Sequence, residues 1–227
     1  RWPFRMACWS TATPTLEGDL AVARLVKTVS PATTTAVFGT HVSARPEDAL
    51  AEPAVDLVIR GEPEGILRAL CRVEPDRLAD VAGISCRRTD PPGIRHNPDA
   101  PFLPPEEIPP PAWHLIDPGL YRLPLKGRPF LMVAPVRGCP FRCSFCTAPL
   151  YYGTRLRRRP VEAVLKEIED NLASFGIRDL FIWADTFTAD RSYVHDFCRA
   201  IRKRGLSVSW TCNSRVDTID PETLALM

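Results

Sequence analysis

Half of the prolines in this 227-residue chain, 12 of 24, fall between Asp90 and Phe130. Proline fixes φ and removes a backbone donor, so neither a helix interior nor a central strand is expected to survive there. The pairs Pro91-Pro92 and Pro104-Pro105 and the triplet Pro109-Pro110-Pro111 predict an extended, semi-rigid linker of polyproline character. Segments of that kind separate domains. The expected organisation is a first domain over 1–90, a linker over 91–127 and a second domain over 128–227.

Both flanks of the linker alternate strand-like and helix-like runs. In the first, strands are predicted at Phe4–Ser10, Thr33–Phe38 and Val55–Ile59, and helices at Leu20–Val29, Pro46–Ala51 and Ile66–Arg72. Leu20, Ala23, Val26 and Val29 share a face, with Asp19 as the expected N-cap. That order implies a parallel sheet with helices outside. Ligands of such sheets sit at the carboxyl ends of the strands, where this chain carries Ser10-Thr11, Gly39-Thr40-His41 and Gly61-Glu62.

The second flank predicts a buried strand at Phe130–Val136, a helix at Pro160–Phe175, a strand at Ile177–Ala184, a helix at Arg191–Arg204, a strand at Leu206–Cys212 and a helix opened by Pro221. Val164, Leu165 and Ile168 form one apolar face, Val194, Phe197, Cys198 and Ile201 another. Glu162 and Lys166 are spaced for an i,i+4 pair, and Gly176 supplies a stop. Repeated strand–helix units suit a (β/α) barrel, of which three units are expected here, with catalytic groups at the strand carboxyl ends. The chain starts at Arg1 and stops at Met227 within a helical pattern, so it is expected to be an internal piece of a longer protein.

Composition narrows the function classes. Hydrophobic residues at 45% and charged residues at 25% argue against disorder throughout. A net charge of +2 argues against a protein that coats nucleic acid. No apolar run approaches the roughly 20 residues of a membrane helix, and no secretory leader is visible, so a cytoplasmic location is expected.

The sharpest motif is Gly138-Cys139-Pro140-Phe141-Arg142-Cys143-Ser144-Phe145-Cys146, a C-x3-C-x2-C run directly after a predicted strand. Three thiolates on one loop can converge on a compact metal centre. Unrelated thiols or a disulfide, a zinc site, and an iron–sulfur cluster are the readings open to such a trio. Structural zinc wants four protein ligands and no fourth lies nearby, whereas a four-iron cluster held by three thiolates keeps one iron open for a small molecule. Cys8, Cys71, Cys86, Cys198 and Cys212 are expected as core residues.

This motif, after the first strand of a (β/α) barrel, resembles the signature of radical S-adenosylmethionine enzymes. The resemblance implies a [4Fe–4S] cluster bound by Cys139, Cys143 and Cys146. It also implies S-adenosylmethionine chelated at the open iron and cleaved by one-electron reduction to a 5′-deoxyadenosyl radical. Phe145 matches the aromatic that lies against the cofactor, with a loop anchor as its plainer role. Asp185, in Trp183-Ala184-Asp185-Thr186-Phe187, stands where many members carry a Gly-Gly-Glu type motif for the methionine amino group; a helix N-cap is its plainer role. Arg215 would pair the methionine carboxylate, or be a surface arginine, and Asn213 would contact ribose or substrate. The basic run Arg155-Leu156-Arg157-Arg158-Arg159 is either an anion contact or a solvated face.

The first flank resembles the C-terminal half of the cobalamin-binding domain that precedes many such barrels, through Ala7–Thr15, Val37–Leu50 and Val55–Glu64. The linker text Pro110–Asp117 followed by Tyr121 is similar to the same architecture. The implied fold class is α/β: a partial doubly wound, flavodoxin-like cobalamin-binding domain followed by a partial (β/α) barrel. By position, Ser10 would meet the lower nucleotide tail of cobalamin, Gly39 and Thr40 would line its slot, and Gly61 and Glu62 would border it. His41 would reach cobalamin, or be a hydrogen-bonded loop histidine. The Asp-x-His-x-x-Gly motif of some such domains is absent from this chain.

What the resemblance implies is methyl transfer from methylcobalamin to an unactivated carbon of a small-molecule substrate, with an electron donor such as flavodoxin or ferredoxin and no nucleic-acid partner. Trp183–Asp190 and Asn213–Asp220 also resemble the anaerobic magnesium-protoporphyrin ester oxidative cyclases, which makes radical cyclisation the alternative. A non-catalytic zinc-binding module is the alternative of a different class.

Overall fold

A computed structural model describes residues 5–124 and 126–227. The predicted strand residue Phe4 lies outside the described residues. The chain divides into two compact units. One runs to Leu103 and also takes Cys143–Tyr152, and the other comprises Pro104–Arg142 and Gly153–Met227.

In the first unit, β1 (Met6–Ser10), β2 (Thr34–Phe38) and β3 (Leu57–Ile59) pair in parallel. Their connections carry α1 (Leu16–Val29), α2 (Thr40–Ala44) and α3 (Pro46–Leu50), and α4 (Pro63–Leu70) follows β3. Strand side chains alternate between faces, and both faces are covered. Ala36, Leu57 and Ile59 pack on Ile66 and Leu70 of α4, while Val37 and Val58 pack on Ala23, Val42 and Leu50 of the other helices. Ile59 is wholly buried, worth about 1.5–3 kcal/mol for such a side chain.

Four expectations for this unit need correction. The sheet is not purely parallel, because β4 (Ile84–Thr89) and β5 (Pro92–His96) extend it antiparallel in the order β1-β2-β3-β4-β5. β5 lies inside the segment expected as linker; its Pro92 is tolerated because the strand is at the sheet edge. Helix α1 begins one turn before Asp19, with Thr15 at the N-cap position, so Asp19 lies in its first turn rather than capping it. Cys71 is exposed at the end of α4, not in the core. The unit is completed by α5 (Ala148–Tyr152), which packs against α2.

In the second unit, β6 (Phe130–Val133), β9 (Asp179–Ile182) and β10 (Ser209–Cys212) form a parallel sheet in the order β10-β9-β6. Each strand leads on to a helix: α6 (Val161–Phe175), α7 (Arg191–Lys203) and α8 (Pro221–Leu226). Leu131, Val133, Leu180 and Ile182 pack beneath Val164, Leu165 and Ile168 of α6 and Val194, Phe197 and Ile201 of α7. Gly176 ends α6 at φ +66°, a conformation that favours a residue without Cβ.

The strand expected over Phe130–Val136 is broken. Pro135 cannot donate to a ladder, and the chain resumes as β7 (Val136–Arg137), which pairs antiparallel with β8 (Arg157–Arg158). On α6, Lys166 pairs with Asp170 rather than with Glu162, which pairs with Arg204. No helix among the described residues is long and apolar enough to cross a membrane.

Candidate functional site

The parallel register of the second unit sets its carboxyl edge. Val133, Ile182 and Cys212 are level, so the residues after them emerge on one side. The ribbon of β7 and β8 closes the base of the cysteine loop, and Cys139 N–H donates to Gly153 O at 3.1 Å. Gly138 opens the loop at φ +86°, which favours glycine.

Cys139 is buried, and its Sγ lies 3.6 Å from Thr186 Oγ1 after β9. Cys143 is half-buried and Cys146 is exposed; Cys146 N–H donates to Cys143 O at 3.1 Å. All eight cysteines are free thiols, so the disulfide reading of the trio is absent from this structure. Among the described residues, no three His, Cys, Asp or Glu side chains are gathered at metal-binding spacing. The trio therefore fits a soft-metal centre by donor chemistry: three thiols on one loop anchored at its base. The liganding arrangement itself is not preformed.

Asp185 Oδ2 is buried and, among the described residues, has no hydrogen-bond partner. Burial pushes its carboxyl above the usual carboxylate range. The plainer role as a helix cap is not its own: Asp190 caps α7, accepting from Tyr193 N–H at 3.1 Å. An orphaned carboxylate oxygen beside Thr186, which touches Cys139, is a group suited to a cationic or hydrogen-bond-donating ligand.

Arg215 is already engaged. Its Nε and Nη2 donate to the two oxygens of Asp217 at 2.8 and 2.6 Å, and its guanidinium lies 4.2 Å over the ring of Phe141. Asn213 is exposed, and its carbonyl accepts from Phe187 N–H at 2.9 Å, tying the ends of β9 and β10 together. Phe145 is 89% exposed, so it does not anchor the loop.

The basic run is divided: Arg155 and Arg158 are exposed, as on a solvated face, and Arg159 is buried. Arg157 and Arg158 form β8, Arg158 pairs with Asp190, and Arg159 is buried against Glu167 at 2.7 Å. Burial raises the Glu167 carboxyl, and Arg159 partly offsets that.

In the first unit, Ser10, Phe38 and Ile59 are level, which brings Thr11, Gly39 and Arg60 to one carboxyl edge. Ser10 and Thr40 are exposed there and Glu62 is buried. Gly39 has φ +136°, and a Cβ on it would lie 2.0 Å from Thr11 O. Its smallness is thus required by the chain's own backbone. His41 is in α2 rather than in a loop, and both ring nitrogens are occupied, by Thr13 Oγ1 at 2.9 Å and Asp48 Oδ2 at 3.0 Å. Gly61 has φ +78°.

Sequence reasoning missed two residues at this edge. Ser43 Oγ donates to Gly39 O at 2.7 Å and accepts from Gly61 N–H at 2.9 Å, joining the ends of β2 and β3. The Thr11 hydroxyl is buried and, among the described residues, unpartnered. Thr11 stood in the strand-end text but carried no signal apart from its position. Beside them lies a cavity of about 340 Å³ lined by Ser43, Arg60, Gly61, Asp99, Phe102 and Tyr151.

Residues 133–227 match the Radical SAM superfamily. The chain is 32% identical over 210 residues to an uncharacterised methyltransferase of Pyrococcus horikoshii, covering 91% of this chain and 45% of the relative. It is 28% identical to the cytidylyl-2-hydroxyethylphosphonate methyltransferase of Streptomyces wedmorensis, over 90% of this chain and 44% of the relative. It is 30% identical to the anaerobic magnesium-protoporphyrin IX monomethyl ester cyclase of Rubrivivax gelatinosus, over 91% of this chain and 38% of the relative. The chain thus spans less than half the length of these curated relatives. Among solved structures, the radical S-adenosylmethionine methyltransferase TsrM of Kitasatospora setae, with cobalamin and a [4Fe–4S] cluster bound, superposes with a TM-score of 0.72 at 17% identity, over 98% of this chain and 47% of that one. The cobalamin-dependent radical enzyme OxsB gives a TM-score of 0.75 at 21% identity, over 95% of this chain and 31% of that one. At those identities the likeness concerns the fold.

Proposed function

We propose, for a chain whose residues 133–227 belong to the Radical SAM superfamily, that the whole protein is a cobalamin-dependent radical S-adenosylmethionine methyltransferase. The observation that carries this is the C-x3-C-x2-C motif, whose buried Cys139 meets Thr186 at the carboxyl edge of a parallel sheet, with the Asp185 carboxylate oxygen, unpartnered among the described residues, next to Thr186. The first unit is read as the C-terminal part of a flavodoxin-like cobalamin-binding domain, with helices on both sheet faces. The second unit is read as the first three strand–helix steps of a (β/α) barrel.

Bound there, a [4Fe–4S] cluster supplies the electron that cleaves S-adenosylmethionine, and cobalamin supplies a transferable methyl group. Cys139, Cys143 and Cys146 hold the cluster. Asp185 accepts hydrogen bonds from the methionine ammonium, which lowers the cost of its own burial. Phe145 covers the cofactor, and Asn213 offers its amide to ribose or substrate. At the other edge, Ser10, Thr11, Gly39, Thr40, Gly61 and Glu62 border the cobalamin tail. His41, held by Thr13 and Asp48, would fix the chain at this edge beside the cobalamin. A small-molecule substrate and a flavodoxin- or ferredoxin-type electron donor complete the scheme.

The test is anaerobic purification of the full-length protein with iron and sulfide. Wild type is expected to bind about four irons and to cleave S-adenosylmethionine, and Cys143→Ala to lose both. A colourless, zinc-loaded wild type, or a Cys143→Ala protein that keeps both properties, overturns the proposal. The cyclase relative favours a second reading, radical cyclisation without methyl transfer. Label from methyl-labelled S-adenosylmethionine appears in the product only under the first.

A further inference from the structure

Phe141 is the central residue of the Cys139–Cys143 interval, and its ring is covered by the guanidinium of Arg215, 74 positions later, at 4.2 Å. An arginine can meet an aromatic face by chance, since its long stem samples many rotamers. Here two hydrogen bonds restrict that freedom, and a third anchors the backbone beneath it. Both oxygens of Asp217 take hydrogen bonds from Arg215, from Nε at 2.8 Å and from Nη2 at 2.6 Å, which fixes the guanidinium plane. The Arg215 carbonyl accepts from Thr218 Oγ1 at 3.0 Å, and Thr218 Oγ1 in turn lies 2.6 Å from Thr188 Oγ1, after β9. The turn carrying Arg215 is thereby tied to the segment that contacts Cys139 through Thr186. A charge held with its plane fixed over a π-face is a directional contact that lysine cannot reproduce.

We infer that Arg215 is a positioning residue, resting on the cluster reading above. With its plane set by Asp217, it clamps Phe141 and so holds the Cys139 end of the cysteine loop in place for ligation. The alternative is that Arg215 binds the methionine carboxylate through the N–H donors it does not give to Asp217. The clamp makes the base of the loop rigid around the buried Cys139.

The experiment uses the full-length protein, first without cluster. Alkylation of Cys139 by iodoacetamide is followed by mass spectrometry in wild type, Arg215→Ala, Arg215→Lys, Phe141→Leu and Phe141→Tyr. Cys139 is buried, so its rate reports opening of the loop base. The clamp predicts that Arg215→Ala, Arg215→Lys and Phe141→Leu each raise the rate about two- to thirtyfold, the factor corresponding to a cation–π contact. Phe141→Tyr, which keeps the ring, stays at the wild-type rate, and Arg215→Ala with Phe141→Leu is no faster than either alone. A packing role alone would leave Phe141→Leu protected, because leucine keeps the apolar bulk. The same proteins are then reconstituted with iron and sulfide. Lower iron content in Arg215→Lys supports the clamp. Wild-type alkylation and iron content in Arg215→Lys and Phe141→Leu, with weakened S-adenosylmethionine binding in Arg215→Lys, overturn it in favour of carboxylate binding. Should wild type itself bind no iron, the cluster reading fails, while the alkylation series still decides whether the contact holds the loop.

Discussion

The two units treat the carboxyl ends of their parallel strands differently. In the first, the edge is largely closed on itself, although the buried Thr11 hydroxyl is left without a partner among the described residues. Ser43 bridges Gly39 and Gly61, His41 is held at both nitrogens, and the missing Cβ of Gly39 is answered by Thr11 O. In the second, a buried oxygen of Asp185 has no partner among the described residues, and it adjoins Thr186, which touches the buried Cys139 at the base of the cysteine loop. Native structures pair nearly all buried polar groups, so an orphan at a strand end marks a place made for something else. The proposed scheme accordingly puts cobalamin binding at the first edge and the cofactor chemistry beside Cys139 and Asp185.

The largest effect on stability that this contrast predicts is at Gly39. Alanine there puts a Cβ at 2.0 Å from a backbone oxygen and demands φ +136° of an L-residue. A loss of about 3–5 kcal/mol is expected for a clash and strain of this kind, a large part of a domain's stability. Urea denaturation of the full-length protein measures it. Wild-type unfolding in Gly39→Ala would show that the edge is not closed by its own backbone.

Next is Ser43→Ala, which takes the acceptor from Gly61 N–H and the donor from Gly39 O. Leaving such a group unpaired costs about 1–3 kcal/mol. The same denaturation experiment should show that loss without change in iron content, since no cysteine of the trio is touched. A fall in iron content with intact stability would mean that the edge of the first unit is not the scaffold described.

Legibility in the sequence followed the same divide between periodic and non-periodic text. The helices α6 and α7 and the stop at Gly176 were readable because their apolar faces recur at helical spacing and glycine fits the left-handed turn. The cysteine loop was readable because three thiols at fixed spacing have few structural uses. Helix α2 was not, being five residues with only Val42 buried. The β4–β5 hairpin was hidden by its prolines, which mark an edge strand as readily as a linker. The basic run read as surface because charge usually is solvated; nothing in the spacing announces that Arg159 meets Glu167 in the interior. The clamp on Phe141 was unreadable for a different reason. It joins residues far apart in sequence, and it takes the registers of β6, β9 and β10 together to bring their carboxyl ends level.

The smallest predicted effect is the most direct test of the contrast, because two carboxylates, one at each edge, titrate in opposite directions. The Asp48 carboxyl is held below the usual range by its hydrogen bond from Arg45 and then by His41. Its contribution is present above about pH 4, the unfolded value, and is lost as pH falls through its lower folded value. The Asp185 carboxyl is raised by burial. Above about pH 4 the unfolded chain gives up this proton before the folded one, so stability falls with rising pH until the folded value is passed. Asp48→Asn should therefore remove part of the acid sensitivity. Asp185→Asn should match wild type at pH 3 and become the more stable of the two towards pH 7, by less than about 1 kcal/mol because solvent screens a half-buried group. Thermal melts of the cofactor-free full-length protein across that range give both slopes. An Asp185→Asn protein less stable than wild type at pH 7 would mean that the carboxylate already has a partner in the free protein, and the open edge would then be as closed as the other.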